Sequence, residues 1–184
     1  MIKKGSGDKA ILMLHGRGGS AEDILSLSNY FEASCYAFTA NNNVWYPYPF
    51  NQRKEFNEPH LSESLKKIDE AVSELKKKHE QVYLLGFSQG ACLALEYAAN
   101  KEVDGVIAFS GGLIGEDSEL EVNNKKSNVF IGCSENDPFI PLERAKKTRD
   151  LFLEKNSRVL TFFYPGNSHT IRSEEMELAK KVLG

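Results

Sequence analysis

Short apolar runs alternate along the chain with longer amphipathic stretches. The runs are rich in Val, Ile, Leu and Phe, which is typical of β-strands that are buried on both faces. The stretches between them repeat apolar residues every three or four positions, which indicates helices with one buried face. The predicted strands are 10–14, 34–38, 81–85, 103–109, 128–131 and 158–164, and the predicted helices are 21–29, 61–78, 89–99, 141–155 and 173–183.

This alternation of strands and helices favours one mostly parallel sheet of about six or seven strands, flanked by helices on both faces. No internal repeat, low-complexity tract or linker divides the sequence, and 184 residues are a usual length for one domain. We therefore predict a compact α/β fold that forms a single domain over residues 1–184.

One long stretch interrupts the pattern. Residues 39–60 contain asparagines and prolines that should prevent regular structure, yet they carry the only tryptophan and four other aromatic residues. Loops of this length are usually functional or disordered, and the aromatic residues argue against disorder. We expect an ordered, functional loop, and leave open whether it moves as a lid.

Composition and charge exclude several classes of function. Hydrophobic residues make up 41% and charged residues 27%, as is usual for soluble globular proteins. The formal net charge of −3 provides no attraction for nucleic acid or anionic membranes. No run approaches the ~18 apolar residues of a membrane span, and the first apolar run is too short for a signal peptide. We expect a cytoplasmic protein with no nucleic-acid partner and no membrane span.

The cysteines do not suggest a metal site. Cys35, Cys92 and Cys133 are odd in number and lack the spacing of metal ligands. Free cysteine behaves as a small hydrophobic residue, so we expect reduced, mostly buried thiols and predict no metal.

A serine lies between two glycines in the sequence GFSQG, residues 86–90, where strand 81–85 gives way to helix 89–99. This matches G-x-S-x-G, the nucleophile elbow. Glycine is needed at both ends because a side chain there would collide with neighbouring backbone. A serine that only caps the helix is the alternative. The strand before and the helix after favour Ser88 as a nucleophile at the ligand-binding edge of the sheet.

A serine hydroxyl is a poor nucleophile unless a base takes its proton, and four histidines are available. His79 ends a charged helix, His60 precedes Ser88 in the long loop, and His15 belongs to a glycine-rich segment. His169 follows the last strand, and the order Ser, Asp or Glu, His of α/β hydrolases selects it as the catalytic base.

The acid that orients the base should lie between Ser88 and His169, after a strand. Asp137 follows strand 128–131 and is our prediction, with Glu135 second. It would fix the imidazole tautomer and stabilise the imidazolium.

The loop after the first strand is rich in glycine. Gly16, Gly18 and Gly19 would let its backbone approach a tetrahedral intermediate closely. We expect the amides of Arg17 and Gln89 to form the oxyanion hole. A phosphate-binding loop is disfavoured because neither GxGxxG nor GxxxxGK[ST] is present.

With these residues in place, the chain resembles the phospholipase/carboxylesterase family of α/β hydrolases, which includes acyl-protein thioesterases and small bacterial carboxylesterases. The form GFSQGA is much more specific than G-x-S-x-G. The matching segments run in family order from about residue 10 to the C-terminus: 15–19, 45–47, 57–58, 86–91, 110–113, 137–138 with Pro141, and Gly166 with His169.

The resemblance implies an α/β-hydrolase fold, a triad of Ser88, His169 and Asp137, and oxyanion amides at Arg17 and Gln89. It also implies that no metal or cofactor is used and that the substrates are carboxylic esters or thioesters.

Two features depart from the family pattern. The sequence begins almost directly at its first central strand, without the N-terminal strands of larger α/β hydrolases. Arg17 stands where eukaryotic thioesterases carry leucine, which argues against a protein-depalmitoylating role. Its guanidinium would either orient an anionic group of the substrate or lie at the surface.

No insertion is long enough for a cap domain, so we expect an open, shallow site with apolar walls at Trp45, Leu113 and Phe139. Such a site favours a serine hydrolase that cleaves small or short-chain esters or thioesters through an acyl-enzyme. A thiol enzyme is disfavoured because Cys92 is expected to point away from Ser88.

Several alternatives stay open. Lysophospholipids or acylated proteins would be long-chain substrates, an acyltransferase would use the same triad, and a non-catalytic binding module would share the scaffold. The partner is expected to be a small-molecule ester or thioester, and a homodimer is left open.

Overall fold

A seven-stranded sheet runs through the computed structural model, which describes residues 1–124 and 126–184. The strand order is β1-β3-β2-β4-β5-β6-β7; β1 is antiparallel to β3, and the other neighbouring pairs are parallel. This confirms the mostly parallel sheet expected from the sequence. The strands are β1 Ile2–Lys4, β2 Lys9–Leu14, β3 Ser34–Ala37, β4 Gln81–Phe87, β5 Gly105–Phe109, β6 Asn128–Ser134 and β7 Arg158–Tyr164.

Helices cover both faces of the sheet, because neighbouring residues of a strand point to opposite sides. In β2, Leu12 and Leu14 pack on the face covered by the second, third and fourth helices, whereas Ile11 and Met13 pack on the other face. Full burial of each such side chain contributes about 1.5–3 kcal/mol. The helices are α1 Ala21–Leu25, α2 His60–Lys76, α3 Gln89–Asn100, α4 Leu142–Glu154 and α5 Ser173–Ala179.

Three elements differ most from the sequence-based prediction, and one of them is helix 173–183, which is α-helical only to Ala179 and continues as a 3-10 helix over Lys180–Val182. β1 was not predicted, because its three residues are all exposed and carry no apolar pattern. Helix 21–29 is α-helical only to Leu25 and continues as a 3-10 helix over Ser26–Tyr30. Serine and asparagine side chains compete for backbone hydrogen bonds, which shortens α-helices.

Residues 39–59, called the aromatic loop below, are ordered but not wholly irregular. The expectation that asparagines and prolines exclude regular structure is wrong for two short 3-10 turns, Asn41–Asn43 and Lys54–Asn57. Trp45, Tyr46 and Phe50 are buried in the core. These buried side chains anchor the loop on the core, as its aromatic content predicted.

The carboxyl ends of the parallel strands meet at one edge of the sheet, where ligands bind in open α/β folds. The connections after β2, β3, β4, β5, β6 and β7 begin at this edge, among them the aromatic loop after β3 and the turn from β4 into α3. Across the described residues, no helix is long and apolar enough to cross a membrane.

Candidate active site

Ser88 lies in a strained turn between β4 and α3. Its backbone has φ 53° and ψ −119°, and its amide donates to the Phe109 carbonyl at 2.9 Å. A positive φ is costly for a residue with a side chain and is typical of functional positions. The Ser88 side chain makes no capping hydrogen bond to α3, whose residues are all described. The alternative of a simple helix cap therefore does not fit.

The two glycines of the turn are required by close backbone contacts. A side chain at Gly86 would overlap the carbonyl of Gly90, and one at Gly90 would overlap the carbonyls of Leu14 and His15. The turn is thus packed directly against the end of β2, and this brings the glycine-rich loop after β2 beside Ser88.

Ser88, His169 and Asp137 form a continuous hydrogen-bonded chain. The Ser88 Oγ lies 2.8 Å from His169 Nε2, and His169 Nδ1 lies 2.8 Å from Asp137 Oδ2. Because a carboxylate can only accept, Nδ1 donates and Nε2 is left to accept the serine proton. The imidazole also contacts two rings, Phe87 at 4.9 Å and Phe139 at 4.8 Å between centroids.

The carboxylate of Asp137 is held in its charged form. Its side chain is 0% exposed, and Oδ1 accepts from the amides of Phe139 and Ile140 at 2.9 and 3.0 Å. Burial by itself raises the pKa of Asp137, but hydrogen bonds from His169 and the two amides outweigh it and lower the pKa below the ordinary value. Glu135, the second choice from the sequence, is exposed and forms no described contact with His169.

The glycine-rich loop closely approaches the serine. A Cβ at Gly16 would lie 3.5 Å from the Ser88 Cβ. Within the described residues, the amides of Arg17 and Gln89 have no hydrogen-bond partner. Gln89 is the first residue of α3, where amides have no intrahelical acceptor and the helix dipole favours negative charge. Both amides are therefore available to an oxyanion.

The side chains of Arg17 and Gln89 fasten the aromatic loop. Arg17 Nη2 donates to the carbonyls of Tyr46 and Pro47 at 2.8 and 2.9 Å. Gln89 Nε2 donates to the same Tyr46 carbonyl at 2.7 Å, and Gln89 Oε1 accepts from the Trp45 amide at 3.0 Å. The Arg17 side chain thus binds backbone. Arg17 is exposed, so it lies at the surface, one of the two positions considered from the sequence.

Trp45 and His15 form further hydrogen bonds that hold the aromatic loop, and both residues are buried. The Trp45 indole donates to the His15 carbonyl at 2.8 Å, and His15 Nε2 accepts from the Ala40 amide at 3.0 Å. Burial lowers the pKa of His15, although its hydrogen bond to the Gly16 carbonyl and the charge of Asp23 partly oppose this. His15 is therefore a neutral structural residue.

A cavity of about 510 Å³ opens beside Ser88, here called the acyl cavity. It passes between the aromatic loop, the start of α3 and the loop that carries Asp137. Its apolar walls are Tyr46, Tyr48, Phe50, Phe87, Phe139 and Ile140.

Of the three walls expected from the sequence, only Phe139 lines this cavity; it is 66% exposed. Trp45 is 2% exposed and Leu113 is 0% exposed, so neither presents a surface to a substrate there. The structure corrects these two assignments: Trp45 packs in the core under the loop, and the Leu113 amide donates to Thr148. Tyr48 and Phe50 were missed because a loop has no periodicity from which to infer the direction of its side chains.

Cys92 also lines the acyl cavity, although it is 0% exposed. It lies one helical turn after Ser88, whose carbonyl accepts from the Cys92 amide at 3.0 Å. Burial raises the pKa of the Cys92 thiol to about 11, so the thiol stays protonated and is a poor nucleophile. All three cysteines are buried and free. Residues 1–124 and 126–184 contain no cluster of three or more His, Cys, Asp or Glu side chains that could hold a metal ion.

Comparison with known proteins identifies the family of the chain. The sequence profile of the Phospholipase/Carboxylesterase family matches residues 2–184. The chain belongs to this family. Because the match covers nearly the whole chain, the protein is a hydrolase of esterase or thioesterase type with an α/β-hydrolase fold.

Individual relatives cover almost the whole chain. The crystal structure of a phospholipase/carboxylesterase from Dyadobacter fermentans has a TM-score of 0.90 and 39% identity, and covers 100% of this chain and 95% of that one. Acyl-protein thioesterase 1 of Kluyveromyces lactis is 30% identical over 91% of this chain and 87% of its own. The Bacillus cereus carboxylesterase structure has a TM-score of 0.79 at 22% identity, covers 98% of this chain and 91% of its own, and shows the fold alone.

Proposed function

We propose that this family member is a serine hydrolase that cleaves carboxylic esters or thioesters of small or short-chain acyl groups. Ser88 is the nucleophile, His169 the general base and acid, and Asp137 the orienting carboxylate. The observation that carries the proposal is the pair of 2.8 Å hydrogen bonds that join Ser88 Oγ to His169 Nε2 and His169 Nδ1 to Asp137 Oδ2.

Acylation begins at the strained serine. Ser88 Oγ attacks the carbonyl carbon while its proton passes to His169 Nε2. The carbonyl oxygen becomes an oxyanion that accepts hydrogen bonds from the amides of Arg17 and Gln89. The bond from carbon to the leaving oxygen or sulfur then breaks, and the leaving atom takes the proton from Nε2. The product alcohol or thiol departs and the acyl group stays on Ser88.

Deacylation repeats these steps with water. Water gives a proton to His169 Nε2 and attacks the acyl carbon, and the bond from carbon to Ser88 Oγ breaks. The serine recovers its proton and the carboxylic acid leaves. Each oxyanion donor of this type contributes on the order of 100- to 1000-fold in rate.

The acyl cavity supports small or short-chain groups. Two of its lining residues, Tyr48 and Phe139, are largely exposed, and no cap covers it in the described part of the chain. A short acyl group fits between Ser88 and the buried end near Cys92. A longer chain would extend past the rim into water and gain little further burial.

The experiment is hydrolysis of p-nitrophenyl esters from acetate to palmitate by the wild type, Ser88→Ala and the matched control Ser118→Ala. Ser118 is exposed and far along the chain from the site. We expect kcat/KM to peak at short chains, to survive in the control and to vanish in Ser88→Ala. With an activated ester, fast acylation should give a burst of one p-nitrophenol per active site.

A long-chain thioesterase or lysophospholipase is the second candidate, and one observation favours it. Tyr48 and Phe139 both line the acyl cavity and are 53% and 66% exposed, so its apolar lining continues to the protein surface. The K. lactis relative carries the name of an acyl-protein thioesterase. An optimum at long chains in the same series would favour this candidate.

Two further measurements distinguish the proposed hydrolase from a binding module and from an acyltransferase. Labelling of Ser88 by a fluorophosphonate requires an activated serine, so a binding module would not react. Transfer of the acyl group to an added alcohol in preference to water would identify an acyltransferase.

A further inference from the structure

A turn in the aromatic loop holds the glycine-rich loop that carries the Arg17 amide. This turn, Asn41–Asn43, is a run of three asparagines that the proposed function leaves without a role. Asn43 contacts the glycine-rich loop twice: its carbonyl accepts from the Gly18 amide at 2.8 Å, and its side-chain Nδ2 donates to the Gly19 carbonyl at 2.6 Å. One residue thus holds both ends of the segment that directly follows Arg17.

Asparagine suits this position because of the backbone that the turn requires. Asn42 and Asn43 have positive φ values of 51° and 61°. Asparagine adopts this left-handed conformation more readily than most residues that carry a side chain. The turn is closed by hydrogen bonds from the Asn43 amide to the Ala40 carbonyl at 3.0 Å and from the Val44 amide to the Asn41 carbonyl at 3.1 Å. Position 43 therefore needs a side chain that tolerates a positive φ and also donates a hydrogen bond.

The contact with Asn43 reaches the Arg17 amide through the Gly16 carbonyl. The Gly19 amide donates to the Gly16 carbonyl at 3.0 Å, which closes a four-residue turn. Gly18 has a φ of 80°, as expected for the third residue of a type II turn. The Gly16 carbonyl and the Arg17 amide belong to one planar trans peptide group, so they point in opposite directions. Fixing the carbonyl therefore fixes the direction of the amide.

Building on the proposed function, we infer that Asn43 is a positioning residue of the oxyanion hole. Its two hydrogen bonds hold Gly18 and Gly19, and the Gly19 amide in turn holds the peptide group that presents the Arg17 amide to the oxyanion. Asn43 is absent from the described residues that line the acyl cavity. It acts through the turn and not by contact with the reacting atoms.

Other contacts hold the glycine-rich loop at its start, where His15 Nδ1 lies 2.7 Å from the Gly16 carbonyl. In the described part of the chain, both hydrogen bonds that reach Gly18 and Gly19 from outside the loop come from Asn43. The end of the turn thus depends on one residue, and a change at that residue leaves the start of the loop unaltered.

The test removes the side-chain donor and keeps the backbone. Asn43→Gly retains the carbonyl acceptor and the positive φ, which glycine adopts freely. Asn43→Asp retains the shape of the side chain, but a carboxylate only accepts and cannot donate to the Gly19 carbonyl. Asn42→Gly and Asn42→Asp are the matched controls, because Asn42 also has a positive φ, whereas its side chain is exposed and forms no hydrogen bond in the described structure.

Both Asn43 variants should lower kcat on p-nitrophenyl acetate roughly tenfold, because a misdirected oxyanion donor costs less than the loss of a whole donor. KM should change by less than about twofold, since the contact is made mainly in the transition state. The loss should be the same for acetyl, butyryl and octanoyl esters, because the acyl cavity is unchanged. Rates are compared at equal concentrations of folded protein.

An alkyl trifluoromethyl ketone supplies a readout that a purely structural role would not change. Ser88 Oγ adds to its carbonyl carbon, the serine proton passes to His169 Nε2, and the carbonyl oxygen becomes an oxyanion in the oxyanion hole. Because this adduct resembles the transition state, its inhibition constant should rise by the factor by which kcat/KM falls in the Asn43 variants. The Asn42 variants should leave both quantities at their wild-type values.

Wild-type kcat in both Asn43 variants would overturn the inference, and so would a loss of kcat without weaker binding of the trifluoromethyl ketone. Equal losses in the Asn42 variants would also overturn it. A loss that depends on acyl-chain length would overturn it by indicating that Asn43 acts on the acyl cavity.

Ser88→Ala distinguishes a failure of the inference from a failure of the proposed function. If Ser88→Ala abolishes turnover while the Asn43 variants match the wild type, only the inference fails. Turnover that does not depend on Ser88 would overturn both.

Discussion

Asp137 is a buried carboxylate whose charge is balanced by hydrogen bonds from three residues. His169 Nδ1 and the amides of Phe139 and Ile140 all donate to it. The lowered pKa of Asp137 means that this pairing adds stability above the ordinary carboxyl pKa, and that the contribution is lost as pH falls through the lowered value. The same contacts orient the imidazole of His169 toward Ser88, since its Nδ1 proton must face the carboxylate.

Asp137→Asn should lower kcat on the order of 10⁴-fold, because an amide in place of the carboxylate favours the wrong imidazole tautomer. The measurement is kcat on p-nitrophenyl acetate at equal concentrations of folded protein. Asp150→Asn on the exposed side of α4 is the matched control and should behave as wild type. A loss of less than tenfold in Asp137→Asn would contradict the assigned role.

Glu175 is a buried carboxyl that the proposed mechanism does not use. Its Oε2 accepts from the Arg172 amide at 2.8 Å, and its Oε1 has no hydrogen-bond partner in the described structure. Burial raises the pKa of Glu175 to about 7, although Arg172 and the Tyr164 hydroxyl lower it. The ionised form is therefore unfavourable in the folded protein.

The free energy of unfolding should decrease as pH rises from the ordinary pKa of 4.5 to about 7, because the unfolded chain releases the Glu175 proton first. The decrease is about 3 kcal/mol at most. Glu175→Gln should remove this dependence, as measured by urea unfolding between pH 4.5 and 8. The exposed neighbour variant Glu174→Gln should retain it. Parallel pH curves for wild type and Glu175→Gln would contradict the prediction.

Among the connecting elements, the aromatic loop has the clearest mechanical role. It is fastened to the two residues whose amides are the proposed oxyanion donors, and the Tyr46 carbonyl accepts from both Arg17 and Gln89. A salt bridge also joins the loop to α3, with Lys54 Nζ 2.6 Å from Glu96 Oε1. The loop thus supports the site from the side of the acyl cavity.

Arg17→Leu should lower kcat roughly tenfold with little change in KM, because each lost hydrogen bond costs about 1 kcal/mol and frees the loop that carries the Arg17 amide. Arg17→Lys keeps a cationic donor group, and its kcat should lie between the kcat of the wild type and that of Arg17→Leu. Arg158→Leu at the exposed start of β7 is the control and should leave kcat unchanged. Steady-state kinetics on a short ester measures this, and a pure KM effect would instead indicate a substrate contact.

At the scale of the whole molecule, the two ends of the chain contribute unequally to the fold. β1 consists of exposed residues at the edge of the sheet, far in strand order from β4 and β6, which carry the site. At the other end, Val182 and Leu183 are buried in the core, and the Leu183 carbonyl accepts from Lys9.

Deletion of residues 1–4 should therefore lower the free energy of unfolding by less than about 2 kcal/mol and leave ester hydrolysis unchanged. Deletion of residues 181–184 should cost more than about 3 kcal/mol, because two buried aliphatic side chains are lost at 1.5–3 kcal/mol each. Urea unfolding of both variants compares these effects. Equal losses, or inactivity of the first variant, would contradict the prediction.

Much of this organisation could be predicted from the chain. The apolar runs identified six of the seven strands, and G-x-S-x-G identified the turn between β4 and α3. The order of serine, acid and histidine selected the three residues that the hydrogen bonds join; their catalytic role stays a prediction. β1 was not predicted, because an exposed edge strand has no apolar pattern.

The sequence by itself determined the class of fold, the order of its elements and the position of the serine turn. These depend on local properties: the period of apolar residues and the steric freedom of glycine. Only the tertiary structure decided that Trp45 is buried while Phe139 lines the acyl cavity, that Cys92 lines the same cavity and that Arg17 binds the aromatic loop. Those outcomes depend on contacts between segments distant in sequence, such as Ser88 and His169, 81 positions apart, which meet only when parallel strands align their carboxyl ends.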